Sequence, residues 1–114
     1  MSDNEILKVA DFSRYPAGRD AGDGDFNGLR YRHEFLQPAL ERASERHGTL
    51  LVSLEGVLSF GSSFLEEAFG GLVREGGFSK EELHRLMKVY IGKESLRKYE
   101  ASIWKHIESA VKKQ

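Results

Sequence analysis

Apolar positions fall into stretches whose spacing separates strands from helices. Glu5 to Ala10 (EILKVA) predicts a short strand. From Asp11 to Gly28 the pattern is lost: Gly18, Gly22, Gly24 and Gly28, Pro16 and four aspartates crowd together, which predicts a long loop centred on 13–28. Leu29 to Arg46 returns to helical spacing, with Leu36, Leu40 and Ala43 on one stripe beside Phe35 and Ala39. Pro38 removes one backbone donor, so a kink or a late start near Gln37 is expected, and His47-Gly48 is the stop. Thr49 to Leu54 (TLLVSL) is nearly all apolar, as a strand buried on both faces would be.

Val57, Leu58 and Phe60 carry the apolar character through a turn, and a helix then opens at Ser62 or Ser63. Glu66 stands three residues after Ser63, the spacing of a capping box, and Glu66 and Glu67 suit the positive end of a helix. Phe64, Leu65, Ala68, Phe69 and Leu72 supply its buried face, while Gly70-Gly71 weakens the helix unless it permits close contact with the sheet. Gly76-Gly77 ends it. Ser79-Lys80-Glu81-Glu82 starts a short helix, Met87 to Ile91 is a third strand, and Glu94 to Lys113 is a helix with Leu96, Tyr99, Ile103, Ile107, Ala110 and Val111 on one stripe. Strands alternating with helices predict a single small α/β domain over 1–114, with a mostly parallel short sheet and helices packed on it. There is room for a fourth strand between Phe12 and Phe26, but the pattern does not show one. The unit from Thr49 to about Arg74, strand then turn then helix, organises the chain.

Composition adds bounds. The chain has 114 residues, 39% hydrophobic and 31% charged, which is globular. Its net charge of -1 gives no pointer to nucleic acid or a membrane surface. The absence of cysteine removes disulfides, thiolate catalysis and cysteine-held zinc. The start, MSDNEILKV, has neither a basic leader nor a long apolar run, so a cytoplasmic location is expected.

Three constellations bear on chemistry. Asp23, Asp25 and Asn27, followed by Gly28 and Glu34, match the spacing of a calcium loop: alternate oxygen donors, a glycine for the sharp turn and a glutamate at the twelfth position. The stretch before it holds proline and glycine and cannot be the incoming helix of such a motif, so a solvated acidic loop is the competing reading. Arg14, Arg19, Arg30 and Arg32 surround the same loop, either balancing the aspartates or offering guanidinium forks to a phosphate or an acidic partner. His33, His47, His84 and His106 do not pair at metal-ligand spacing, and Gly61-Ser62-Ser63 lacks the second glycine of a hydrolase elbow, so a metal cofactor or hydrolase chemistry is not expected.

Val52 to Leu72, VSLEGVLSFGSSFLEEAFGGL, resembles the STAS domain of anti-sigma-factor antagonists, in which a buried strand leads through a short turn to a serine pair at a helix start. The chain is more similar still to a STAS-like family of unknown function. That likeness lies in Arg32, Leu36, Pro38, Ala39 and Leu40, and in Ser62, Ser63, Phe64, Glu66, Glu67, Phe69, Gly70 and Leu72. The resemblance spans roughly Phe12 to Ile107. It implies a non-enzymatic regulatory module that switches a protein partner, an ATPase of the histidine-kinase superfamily, with no cofactor, nucleic acid or membrane involved. It also implies Ser63 as phosphoacceptor with Ser62 beside it, and a contact surface of Gly61, Phe64, Glu66, Glu67 and Phe69. Where STAS antagonists carry Asp and Gly around the pair, this chain has Gly61 and Phe64. Two other readings stay open: Ser62 or Ser63 as a helix cap with no further role, and a ligand- or ion-binding site in the loop from Arg14 to Glu34.

Overall fold

The computed structural model describes residues 4–112. Strands β1 (Glu5–Lys8), β2 (Leu50–Ser53) and β3 (Met87–Tyr90) form one parallel sheet in the order β1-β2-β3. Glu5 pairs with Leu50 and Leu50 with Met87, and the register runs on to Lys8, Ser53 and Tyr90. β1 passes directly into a single helical turn, α1 (Val9–Phe12), so the first strand is shorter than the apolar run implies. Between Phe12 and Phe26 the described residues add no strand, only a one-turn 3-10 helix at Ala21–Asp23.

Helix α2 spans 28–45 and α3 spans 62–74; each is unbroken, with every junction residue in the right-handed helical region. Both contain a π-helical stretch, Arg32–Leu36 in α2 and Glu66–Gly70 in α3, where Gln37 N–H donates to Arg32 O and Gly71 N–H donates to Glu66 O. The first of these answers Pro38. The proline has no N–H to give, and a wider turn just before it keeps the helix running where a kink or a late start near Gln37 was expected. The chain turns out of the helix at His47, a non-glycine residue with φ 56 just beyond its end, and Gly48 N–H returns to Ala43 O.

α4 (Lys80–Leu86) begins with the expected capping box: Ser79 accepts from Glu82 N–H, and Glu82 accepts from Ser79 N–H. After a 3-10 turn at Glu94–Leu96, α5 (Arg97–Ser109) buries Ile103 and Ile107. It stops at Ser109, leaving Val111 78% exposed and off the buried stripe; Lys113, the expected end, lies outside the described residues.

One core cluster joins the elements. From the sheet it takes Leu50, Val52 and Met87, with Leu7 and Val89 partly buried against it. These residues alternate with others that point the opposite way, so the helices cover one face of the sheet. On the opposite face of β2 Ser53 is buried and Leu51 is partly buried outside that cluster, so the expected burial of β2 on both faces falls short at Leu51 alone. Among the described residues no helix is long and apolar enough to cross a membrane.

Candidate functional site at the start of helix α3

The turn between β2 and α3 is held by the long loop. Leu58 N–H donates to Arg14 O, Gly61 N–H donates to Pro16 O, and Arg14 Nε donates to Gly56 O at 3.2 Å. The loop is therefore strapped along the turn. Tyr15 and Leu58, on the two bonded segments, are 64% and 51% exposed, so an apolar rim stands beside the helix start.

Gly61 is the N-cap, with extended backbone and no side chain to contribute. Ser62 and Ser63 are the first two helical residues and both are exposed. The first backbone bond of the helix runs from Leu65 N–H to Gly61 O. The expected Ser63–Glu66 capping box does not form, because the serines stand one and two places inside the helix and Glu66 is committed to arginines. Neither hydroxyl has a hydrogen-bond partner among the described residues. Phe64 and Phe69 are fully buried and Glu67 is buried, so of the proposed contact surface only Gly61 and Glu66 stay partly exposed, beside the exposed serines.

Glu66 and Glu67 serve a charge cluster that ties three elements together. Arg32, fully buried on α2, donates from Nη1 to Glu67 Oε2 and to Glu67 O, both at 2.6 Å, and from Nε to Gln37 Oε1 at 3.1 Å. Arg19, from the loop, bridges Glu66 Oε1 at 2.6 Å and Glu67 Oε1 at 2.9 Å. Arg74, further along α3, closes on Glu66 at 2.7 Å. Burial pushes the Glu66 carboxyl up, but Arg74 and Arg19 outweigh it and hold its pKa at about 2. Glu67 is likewise below the usual carboxylate range: burial opposes, and Arg32 and Arg19 prevail.

Two glycines make room for this packing. A Cβ on Gly71 would overlap the Arg32 guanidinium, and one on Gly28 would lie 2.6 Å from Phe64 O. The close contact expected of Gly70-Gly71 is thus made partly with a buried arginine and not with the sheet. From the sequence Arg32 reads as one of the charges around the loop, solvated or ligand-binding, because a charged residue is ordinarily at the surface; the glycine pair opposite was the available signal.

The loop residues with calcium-motif spacing are spent elsewhere. Asp23 Oδ2 accepts from Arg19 N–H, Asn27 caps α2 by accepting from Arg30 N–H, and Glu34 pairs with Arg30 at 3.2 Å. Among the described residues no three acidic or histidine side chains converge as a metal site. Asp25, Asn27, Arg30, His33 and Glu34 line an open cleft of about 420 Å³, where Arg30 also lies over the rings of Phe12 and Phe26. Of the arginines proposed for an anion, Arg19 and Arg32 are already neutralised within the cluster, and Arg14 binds the turn backbone.

A sequence model for a family described as a STAS-like domain of unknown function (DUF4325) matches residues 26–90, more than half of the chain. The chain belongs to this family. The matched span of the STAS-like domain runs from the end of the loop through β3, and so contains Arg32, the serine pair, Glu66, Glu67 and Arg74, while Arg19 precedes it. No curated protein and no solved structure matches the chain.

Proposed function

We propose that this STAS-like domain is a non-enzymatic, cytoplasmic regulatory module that binds a partner ATPase of the histidine-kinase superfamily through the turn before α3. Phosphorylation of Ser63, or of its neighbour Ser62, dissolves the complex. The observation that carries this reading is the pair of exposed hydroxyls with no structural task at a helix start inside a STAS-like domain. A phosphate there meets helix N–H groups that have no intrahelical acceptor, so the modified domain keeps its fold. In a closed interface the same dianion opposes binding by desolvation and by repulsion from acidic groups. Tyr15 and Leu58 give that interface its apolar contact, and the Arg19 latch holds the loop that carries Tyr15.

The test is recovery of the protein from its native host, with phosphopeptide mapping and identification of co-purifying proteins with and without ATP. Expected are phosphate on Ser63, a nucleotide-dependent ATPase partner retained by Ser63→Ala, and its loss with Ser63→Asp. An Ser63→Asp protein that holds the partner as tightly as the parent would end the switch reading.

A further inference from the structure

One face of the sheet is open at its two edge strands. The positions on that face are Ile6 and Lys8 on β1, Leu51 and Ser53 on β2, and Lys88 and Tyr90 on β3, which the pairing register places side by side in two rows, with Ser53 buried between Lys8 and Tyr90. Ile6 is 60% and Tyr90 48% exposed, both lysines are exposed, and Leu51 is half-buried outside the core cluster. All-parallel sheets are ordinarily covered on both faces, so two large apolar side chains, Ile6 and Tyr90, open to water on this one are a departure that needs a cause.

We propose that this face is a second docking surface, separate from the serine turn, and that its occupant is an acidic amphipathic helix of a protein partner. Size and charge select that occupant. The three strands span about 10 Å across and four residues about 13 Å along, the footprint of one helix about 10 Å in diameter. Such a patch falls far short of the roughly 800 Å² per partner that a stable dimer buries, so a second copy of this chain is a poor fit. Charge argues the same way. Lys8 and Lys88 flank the apolar centre from opposite strands, the six outward positions include no acidic residue, and among the described residues neither lysine has an ion pair. Two copies face to face would bring four lysines together, whereas a helix with a leucine-type stripe and flanking carboxylates satisfies both features.

The experiment places a photo-crosslinking residue on the face in the full chain, as Ile6→p-benzoyl-Phe and separately Tyr90→p-benzoyl-Phe, with Glu41→p-benzoyl-Phe on α2 as control. The chains are expressed in the native host and the adducts are sequenced by mass spectrometry. Expected is a partner peptide with net negative charge and apolar residues at steps of three and four, joined at positions 6 and 90 and not at 41. Adding Lys8→Glu and Lys88→Glu together should lower the yield at least about tenfold. Circular dichroism of the doubly reversed variant checks that it is folded, and the single reversals repeat the test if it is not. Adducts to a second copy of this chain, to nucleic acid, to lipid or to a basic segment would overturn the proposal, as would no adduct at either position. Ser63→Asp combined with the position-6 probe separates the two surfaces: an unchanged adduct is expected even where partner binding at the turn is lost.

Discussion

Arg32 and Gly71 form one packing unit, and removing the arginine should reverse the effect of a substitution at the glycine. Arg32→Ala takes away the donors to Glu67 Oε2, Glu67 O and Gln37 Oε1 and leaves a hole the size of the side chain. Breaking a buried pair from one side costs about 3–5 kcal/mol. Glu67 keeps Arg19 at 2.9 Å, so the middle of that range, about 4 kcal/mol, is expected. With an unfolding entropy of about 2.1 cal/mol/K per residue, 114 residues convert this into a fall in Tm of roughly 15 °C. Gly71→Ala alone drives a Cβ into the guanidinium and should cost about 2 kcal/mol or more. In the Arg32→Ala background the same methyl enters vacated space, and the ordinary helix preference for alanine over glycine, about 1 kcal/mol, becomes available. The four proteins of this cycle, unfolded in urea and followed by far-ultraviolet circular dichroism, should show a coupling of at least about 2 kcal/mol with an unchanged m-value. Additivity within about 0.5 kcal/mol would mean that the two residues do not share the space described, and the reasoning would fail.

Other outcomes follow from the same structure. Glu66 has a folded-state pKa of about 2 against an ordinary 4.5, so its contribution is complete above about 4.5 and is lost as pH falls toward 2; Glu66→Gln should lower stability at neutral pH and flatten that acid limb in urea titrations. The Tyr31 hydroxyl is buried with no hydrogen-bond partner among the described residues, and burial drives its pKa up, so Tyr31→Phe should raise stability by about 1 kcal/mol in thermal melts; a loss of that size would reveal a hidden partner. Since neither hydroxyl caps α3, Ser62→Ala and Ser63→Ala should each change unfolding free energy by less than about 0.5 kcal/mol, where a true cap would cost about 1. Ser79→Ala, by contrast, breaks a formed capping box and should cost about 1 kcal/mol in the same assay.

Element types were legible because periodicity and punctuation agree: TLLVSL is a strand, Ser79 with Glu82 is a helix start, and Gly76-Gly77 is a stop. Legibility failed where a tertiary partner overrides the local signal. Ser63-x-x-Glu66 has the spacing of a cap, but the ion pairs to Arg19 and Arg74 are the stronger claim on that carboxylate. Arg32 reads as surface until Glu67 and Gln37 are placed around it. The open sheet face was hidden for a different reason: periodicity reports that Leu51 is apolar, not whether anything lies over it. Of the candidate site, the serine turn was visible as a motif, whereas the loop strapped along it depends on backbone bonds between positions more than 40 apart.

The two π-helical stretches set a rule about chain length. A π turn holds one more residue than the α turn it replaces, so everything downstream is rotated by about 100° relative to a plain helix. In α2 that rotation aims Leu40 and Ala43 at the core, and in α3 it aligns Leu72 and Val73 while Glu67 O meets Arg32. Removing a single residue from 32–36 or from 66–70 should therefore do more damage than most substitutions within them, since it turns half a helix to present its polar side inward. Relatives of this domain should keep the count of residues in these two stretches even where they change the residues themselves.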